Sequence, residues 1–343
     1  MTSHHRTFRA LAVIGLLALG LIAGVDPGSS LASAQSNELV VYSGRGESLV
    51  GPIIEQFQSA TGVNVSVRFA DTPQLAATLA EEGDRTPADV FFAQDPGGLG
   101  AVESMFATLP QALLERVPAW ARSDEGRWVG LSGRARTVVY NTERLSKADL
   151  PDTMFGFTEP EWKGRIGWAP TNASFQTMVT AMRQVWGEDR TREWLEGIEA
   201  NNPNVYASNT PQVDATARGE IDVGFVNHYY LFRFLAEEGE DFPARNYHPR
   251  GGGPGALVMV AGAGVLSVSD NQATAERFIE FMLSDVAQAY FANETFEYPF
   301  VDGIQTNRLL TPLGEINRPE IDLADLDDLE GTQELLREAG ALP

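Results

Sequence analysis

The chain has 343 residues, a formal net charge of −22 from 47 acidic residues against 25 lysines and arginines, and no cysteine. The missing thiols exclude disulfides, thiolate metal sites and cysteine nucleophiles. The acidity argues against nucleic acid as a partner, and an anionic ligand would need basic residues close to it.

The first residues have the pattern of a secretory leader. A basic segment at residues 4–9 precedes an apolar run at residues 10–25, and Ala32-Ser33-Ala34 matches a small-x-small cleavage site. We therefore expect residues 1–34 to be a signal peptide. A retained anchor is the alternative, although the apolar run is short for a membrane span. Without cysteine no lipid can be attached to the exported chain, so the predicted location is the periplasm, with full secretion as the alternative.

The remaining chain exceeds the usual size of one hydrophobic core, so two lobes are expected. Its first part predicts strands at residues 38–42, 63–69 and 89–93. Between them the patterns predict one helix that ends at Gly62 and another that begins with Thr72 as its cap. This βαβαβ alternation predicts an α/β fold with a mainly parallel sheet and helices on both faces.

The same pattern returns in the middle of the chain. Strands are predicted at residues 166–169 and 221–226, and a helix is predicted from Thr210-Pro211 to Gly219. Two glycine-flanked segments, residues 133–141 and 255–266, lie where the chain would leave and re-enter the first lobe. They are either a hinge between lobes or ordinary sheet strands.

Two adjacent tyrosines, Tyr229 and Tyr230, follow a buried strand and open an amphipathic helix. In open α/β sheets, ligands bind at the carboxyl ends of the strands. The pair is therefore either a ligand site or amphipathic cover for the core. Because His228 and His248 are the only histidines after the leader, a metal site would rely on hard oxygen donors.

Basic and polar residues near other strand ends could hold an anion. Arg45 follows the first strand, and Arg134 and Arg136 lie in the first hinge segment. Guanidinium groups there could bind an anion through paired hydrogen bonds, or they could be structural or solvated. Residues 171–174 precede a helix and could form either an anion-binding helix start or a simple cap.

No catalytic motif accompanies these residues. The chain has neither a GxSxG elbow nor an HExxH sequence, and Gly44-Arg45-Gly46 lacks the third glycine and the lysine of a phosphate loop. The sequence thus supports a binding protein and not an enzyme.

Six stretches, in one order over nearly all of the chain after the leader, carry a family resemblance. They are VVYSGRGESLVGPIIEQF, EEGDRTPADVFFA, LSGRARTVVYNTERL, PTNASFQTMV, SNTPQVDATARGEIDVGFVNHYY and ANETFEYPFVDG. Together they resemble the periplasmic ferric-ion-binding proteins of bacterial ABC-type iron uptake systems, within the extracellular solute-binding proteins.

The resemblance implies a two-lobed periplasmic-binding-protein fold with a strand hinge and a ligand cleft between the lobes. Lobe 1 would comprise residues 35–134 and 257–308, and lobe 2 residues 135–256 and 309–343. It also implies a monomer that delivers Fe³⁺ to a permease in the inner membrane.

By the same resemblance, Tyr229 and Tyr230 match the phenolate ligands of Fe³⁺, beside a synergistic carbonate or phosphate. The positions that match anion-holding residues are Arg45, Arg134, Asn172, Ser174, Asn209 and Asn227.

Three positions depart from the family pattern. Gly46 or Glu47 stands where many members have a histidine, Gln94 where some have a glutamate, and Asn172 where others have a third tyrosine. Glu47 is a candidate additional ligand, whereas Tyr140 matches a hinge position. The alternatives to iron binding are binding of an oxyanion or small organic anion without metal and, less favoured, a secreted hydrolase.

Overall fold

The computed structural model describes residues 38–343, so the predicted leader at residues 1–34 lies outside the described part. The strands in this range are β1 (Glu38–Ser43), β2 (Asn64–Phe69), β3 (Val90–Ala93), β4 (Trp128–Asn141), β5 (Ile166–Trp168), β6 (Asn204–Val205), β7 (Val223–Asn227), β8 (Ala244–Tyr247) and β9 (Val258–Val265). The helices are α1 (Glu47–Thr61), α2 (Thr72–Glu82), α3 (Pro96–Ala101), α4 (Gln111–Leu114), α5 (Ala173–Trp186), α6 (Glu188–Ala200), α7 (Asn209–Ala217), α8 (Tyr229–Glu238), α9 (Gln272–Met282), α10 (Asp285–Asn293) and α11 (Leu329–Glu338).

The first βαβαβ unit forms as the apolar patterns predict. Strand β1 pairs in parallel with both β2 and β3. Helix α1 buries one apolar face and ends at Gly62, whose φ of 73° is a left-handed conformation that suits glycine. One detail of the prediction is wrong: the cap of α2 is Asp71, and Thr72 is already helical and uses its hydroxyl to accept the Gln94 N–H at 2.9 Å.

The centre of the sheet is antiparallel, contrary to the prediction of a mainly parallel sheet. The strand order is β2-β1-β3-β9-β4-β7-β5-β6, with β8 pairing with β4 outside this path. The antiparallel pairs are β3 with β9, β9 with β4, β4 with β7 and β4 with β8. Strand β5 pairs in parallel with both β6 and β7. The prediction fails at the centre because β4 and β9 connect two parallel groups directly, and periodicity does not specify which distant strands pair.

The two glycine-flanked segments of the sequence are these central strands. They pair with each other from Trp128 opposite Gly264 to Ala135 opposite Val258.

Buried apolar side chains form one cluster around β1, β3 and α1, and further clusters around β5, β7 and α8. The lobe boundaries expected from the sequence fall inside β4 and just before β9, and they stay a prediction. Across residues 38–343, no helix has the length and apolar character that crossing a membrane requires.

Candidate metal and anion site

The tyrosine pair lies at the end of a wholly buried strand. Every residue of β7 is buried, and the chain passes through His228 into α8, which begins with Tyr229 and Tyr230. The two rings are stacked, with centroids 4.3 Å apart and an interplanar angle of 28°. Tyr229 is only 5% exposed and Tyr230 is partly buried. Both phenols therefore sit together at the carboxyl end of a sheet strand, as the sequence predicts.

The environment of Tyr230 favours its neutral form. Burial raises the pKa of Tyr230, and the neighbouring Tyr229 adds to this through its charge and a hydrogen bond. The positive charges of Arg233 and Arg134 act in the opposite direction on the same pKa. A cation that binds this phenol must therefore displace its proton.

His228, the residue before the pair, is not available as a ligand. The Ala135 N–H donates to its Nδ1 at 3.0 Å, so Nε2 carries the proton and donates to the Phe296 carbonyl at 2.8 Å. Burial lowers the pKa of His228 to about 3, which keeps the ring neutral. His228 thus ties the start of α8 to β4 and to the segment after α10.

Arg136 is the centre of a hydrogen-bonded cluster. Its Nη1 donates to the side-chain oxygens of Asn227 at 3.0 Å and Asn209 at 3.2 Å, and its Nη2 donates to the Phe225 carbonyl at 2.8 Å. The Oδ1 of Asn209 also accepts the Asn227 N–H at 2.9 Å. Burial lowers the pKa of Arg136 to about 9, and both tyrosines oppose this shift. These partners are neutral amides and a carbonyl, so none of them compensates the positive charge of the guanidinium.

Asn172 joins the same cluster from the start of α5. As the cap of that helix, its Oδ1 accepts from the Ser174 N–H at 3.2 Å and from the Ser174 hydroxyl at 2.6 Å. It also accepts from the Asn209 amide at 3.2 Å. Four residues that the resemblance assigned to the anion therefore meet around Arg136. The cap interpretation of this turn is confirmed, and the anion-binding interpretation stays a prediction.

Arg45 and Arg134 lie in a second, more compensated group. Arg45 forms an ion pair with Glu297, whose other carboxylate oxygen accepts from the Ser132 hydroxyl. Arg134 donates to the carbonyl of Gln94. Both arginines are 2% exposed and Glu297 is fully buried. Glu297 is not predictable from the sequence, because one more carboxylate in an acidic chain carries no signal and its partner is 252 residues away.

The buried arginines fit an anion. The Nε atoms of Arg45, Arg134 and Arg136 are buried and have no hydrogen-bond partner among the described residues. A buried donor without a partner costs about 1–3 kcal/mol, so an acceptor is expected there. Burial, and then the charge of Arg45, lower the pKa of Arg134, whereas Tyr229, Glu297 and Asp95 oppose the shift. A small oxyanion supplies both acceptors and compensating charge.

Neither Glu47, the candidate additional ligand, nor Tyr140 forms a hydrogen bond with this group in the described part of the chain. Glu47 is exposed at the first turn of α1, and its carboxylate makes no hydrogen bond or ion pair with another residue of the described range. Tyr140 is buried in the apolar cluster that contains Val138. Among residues 38–343, no three histidine, aspartate or glutamate side chains come together as a metal-binding group. A metal at this site would therefore depend on the phenols.

Comparison with known proteins places the chain in a family. Residues 85–312 match the family model described as bacterial extracellular solute-binding protein. The Fe(3+)-binding periplasmic protein of Serratia marcescens is 34% identical over 337 residues, which cover 97% of this chain and 98% of that protein.

Solved structures agree in fold. Iron-bound HitA from Pseudomonas aeruginosa superimposes with a TM-score of 0.80 at 32% identity, over 88% of this chain and 99% of that one. The Trichodesmium protein IdiA, or FutA, in complex with iron and citrate gives a TM-score of 0.78 at 26% identity over the same shares. The chain therefore belongs to the bacterial extracellular solute-binding proteins and has the two-lobed α/β fold of relatives that are named ferric-ion-binding proteins.

Proposed function

We propose that this protein binds Fe³⁺ as cargo through the phenolate oxygens of Tyr229 and Tyr230, together with a synergistic anion. The observation that carries the proposal is the stacked tyrosine pair, whose charges act on the buried Arg134 and Arg136, and the Nε atoms of both arginines lack partners. The relatives named for ferric iron support the identity of the metal.

Charge balance explains why an anion accompanies the metal. Two phenolates leave one positive charge on a ferric ion, and the nearby guanidinium groups add more. Arg136 and Arg134 have no carboxylate partner within the described residues, whereas Arg45 is already paired with Glu297. Carbonate or phosphate would offset this charge, accept hydrogen bonds from the guanidinium groups and fill coordination positions that the two tyrosines leave open.

Proton release makes the proposed binding dependent on pH. Both phenols must bind as phenolates, and burial raises the pKa of Tyr230 further above that of a free tyrosine. Metal affinity must supply the free energy of deprotonation, so it falls as protons become more concentrated. We expect acid to release the iron.

The protein acts in this proposal as a carrier without turnover. The predicted leader at residues 1–34 and the relatives named as periplasmic proteins support a place in the periplasm. A monomer of this fold would close over Fe³⁺ and its anion between the lobes and deliver them to an ABC-type permease in the inner membrane.

A visible spectrum tests the proposal directly. Purified protein, freed of metal with a chelator, is mixed with ferric salt and either bicarbonate or phosphate. We expect a visible phenolate-to-iron charge-transfer band in the wild type and none in the Tyr229→Phe, Tyr230→Phe double variant. Tyr140→Phe is the matched control, because Tyr140 is a buried tyrosine of β4 outside the site. A band that survives in the double variant would contradict the assignment of the ligands.

Binding of an oxyanion or small organic anion without metal is the second candidate function. The unpaired Nε atoms of three buried arginines favour it, because they call for an acceptor whether or not iron is present. Calorimetry with phosphate, bicarbonate and citrate on chelator-treated protein separates the two functions. Micromolar binding without iron, left unchanged by added iron, would favour this candidate.

A further inference from the structure

One arginine of α8 contacts both tyrosine rings. The Cζ atom of Arg233 lies 5.1 Å from the ring centroid of Tyr229 and 5.1 Å from that of Tyr230. The spacing explains the contact, because residues three and four positions apart share one face of a helix. A single guanidinium is thus placed equally close to both members of the stacked pair.

The charge of Arg233 is not used elsewhere in the described structure. Within residues 38–343, no carboxylate forms an ion pair with Arg233, although Glu237 lies one turn further along the same helix. Arg183, by contrast, is paired with both Glu188 and Asp328. The chain has nearly twice as many acidic as basic residues, so carboxylates that could pair with an arginine are plentiful. Arg233 contacts two tyrosine rings instead, and pairing with a carboxylate therefore does not explain its position.

Iron binding would change the strength of the interaction between Arg233 and the two tyrosine rings. Neutral phenol rings attract a guanidinium weakly through their π faces. As phenolates, the two rings would carry like charges on centroids 4.3 Å apart, and a cation equidistant from both would offset that repulsion. The interaction is therefore stronger in the metal-bound state than in the free one, which is the condition for raising affinity.

We propose that Arg233 is a positioning residue that raises the affinity of the tyrosine pair for Fe³⁺, by holding the two rings together and compensating their charge as phenolates. This inference rests on the proposed function of the site. It adds a cationic residue that acts on the ligands themselves, whereas Arg134 and Arg136 are assigned to the anion.

An arginine on aromatic rings can also be simple packing, and the chain offers a matched control for that alternative. The Cζ of Arg190 in α6 lies 4.7 Å from the ring of Phe155 and 5.7 Å from that of Trp186. Arg190 has the same double contact as Arg233, but its rings carry no hydroxyl and cannot ligate a metal.

The experiment compares Arg233→Gln, Arg233→Lys and Arg190→Gln with the wild type. Ferric affinity is measured by competition with citrate over a range of pH, and the charge-transfer band is recorded for each protein. We expect Arg233→Gln to lose at least about tenfold in affinity, which corresponds to about 1.4 kcal/mol. Its band should move to longer wavelength, because loss of the cation raises the energy of the phenolate electrons.

The controls separate the possible failures. Arg233→Lys should recover most of the affinity and the band position, and Arg190→Gln should match the wild type in both. Circular dichroism and the thermal midpoint confirm that each variant is folded. A wild-type band with Arg233→Gln indistinguishable from Arg190→Gln would overturn this inference alone. Absence of the band in the wild type would overturn the proposed function and this inference with it.

Discussion

Two buried arginines of the site, Arg45 and Arg136, are compensated in different ways. Arg45 has a carboxylate partner in Glu297, so the pair is neutral overall. Arg136 donates from its two Nη atoms to neutral oxygens of Asn209, Asn227 and Phe225, which leave its Nε without a partner and its charge uncompensated. Burial does not by itself mark an anion site: the charge of Arg45 is already compensated, although its Nε lacks a partner, whereas the Arg136 cluster has positive charge to offer a ligand.

Loss of the carboxylate should have the largest effect. In Glu297→Gln, Arg45 would remain buried without a counter-charge, and breaking a buried pair costs about 3–5 kcal/mol. Chemical denaturation of the metal-free protein measures the change. The exposed pair between Arg250 and Asp152 provides the control, and Asp152→Asn should cost less than about 1 kcal/mol. Equal losses in the two variants would show that Glu297 does not compensate Arg45 as the geometry indicates.

Removal of the uncompensated charge of Arg136 should weaken anion binding. In Arg136→Gln, affinity for phosphate or bicarbonate should fall at least about tenfold, or about 1.4 kcal/mol, because a buried charge-assisted donor is removed. The double variant Arg45→Gln, Glu297→Gln removes a neutral pair and should change anion affinity less than about threefold. Calorimetry on folded, metal-free protein measures both. A greater loss in the double variant would reverse the comparison between the two arginines.

The different partners of Arg45 and Arg136 are contacts between distant segments, which sequence patterns do not determine. The elements β1 to β3 and the tyrosine pair at the start of α8 were predictable, because periodicity and capping are properties of neighbouring residues. The antiparallel centre of the sheet and the pairing of Arg45 with Glu297 depend on segments far apart in the chain. No local pattern encodes them.

The candidate site shows the same division. Its tyrosines and amide residues could be named from the resemblance, but their partners could not. The sequence identifies Arg136 as a basic residue of the hinge segment, but its place at the centre of the amide cluster depends on the packing of β4, β7 and α7. Arg233 is an exception, because its spacing of three and four residues from the tyrosines is itself a sequence signal that it shares their helix face.

The buried His248, which lies next to the backbone of Arg136, should make the stability of the protein depend on pH. Burial lowers the pKa of His248 to about 4, and the neighbouring backbone of Arg136 opposes this shift. Between about pH 6.5 and 4 the unfolded chain binds a proton that the folded ring does not, so stability falls as pH falls, by up to about 1.4 kcal/mol per unit. His228 contributes in the same direction. Denaturation of metal-free protein across this range should give a smaller slope in His248→Gln than in the wild type, and equal slopes would contradict this assignment.

The smallest effect should come from the outer edge of the amide cluster. Asn172→Ala removes the cap of α5 and the acceptor that orients Ser174 and Asn209, so it should cost about 1 kcal/mol of stability and about threefold in anion affinity. Ser284 caps α10 in the same manner, outside the cluster. Ser284→Ala should therefore lose similar stability in thermal denaturation but no anion affinity in calorimetry. If Asn172→Ala also keeps full affinity, the turn before α5 is only a helix cap, and the anion depends on the charge of Arg136 without the help of the amides beside it.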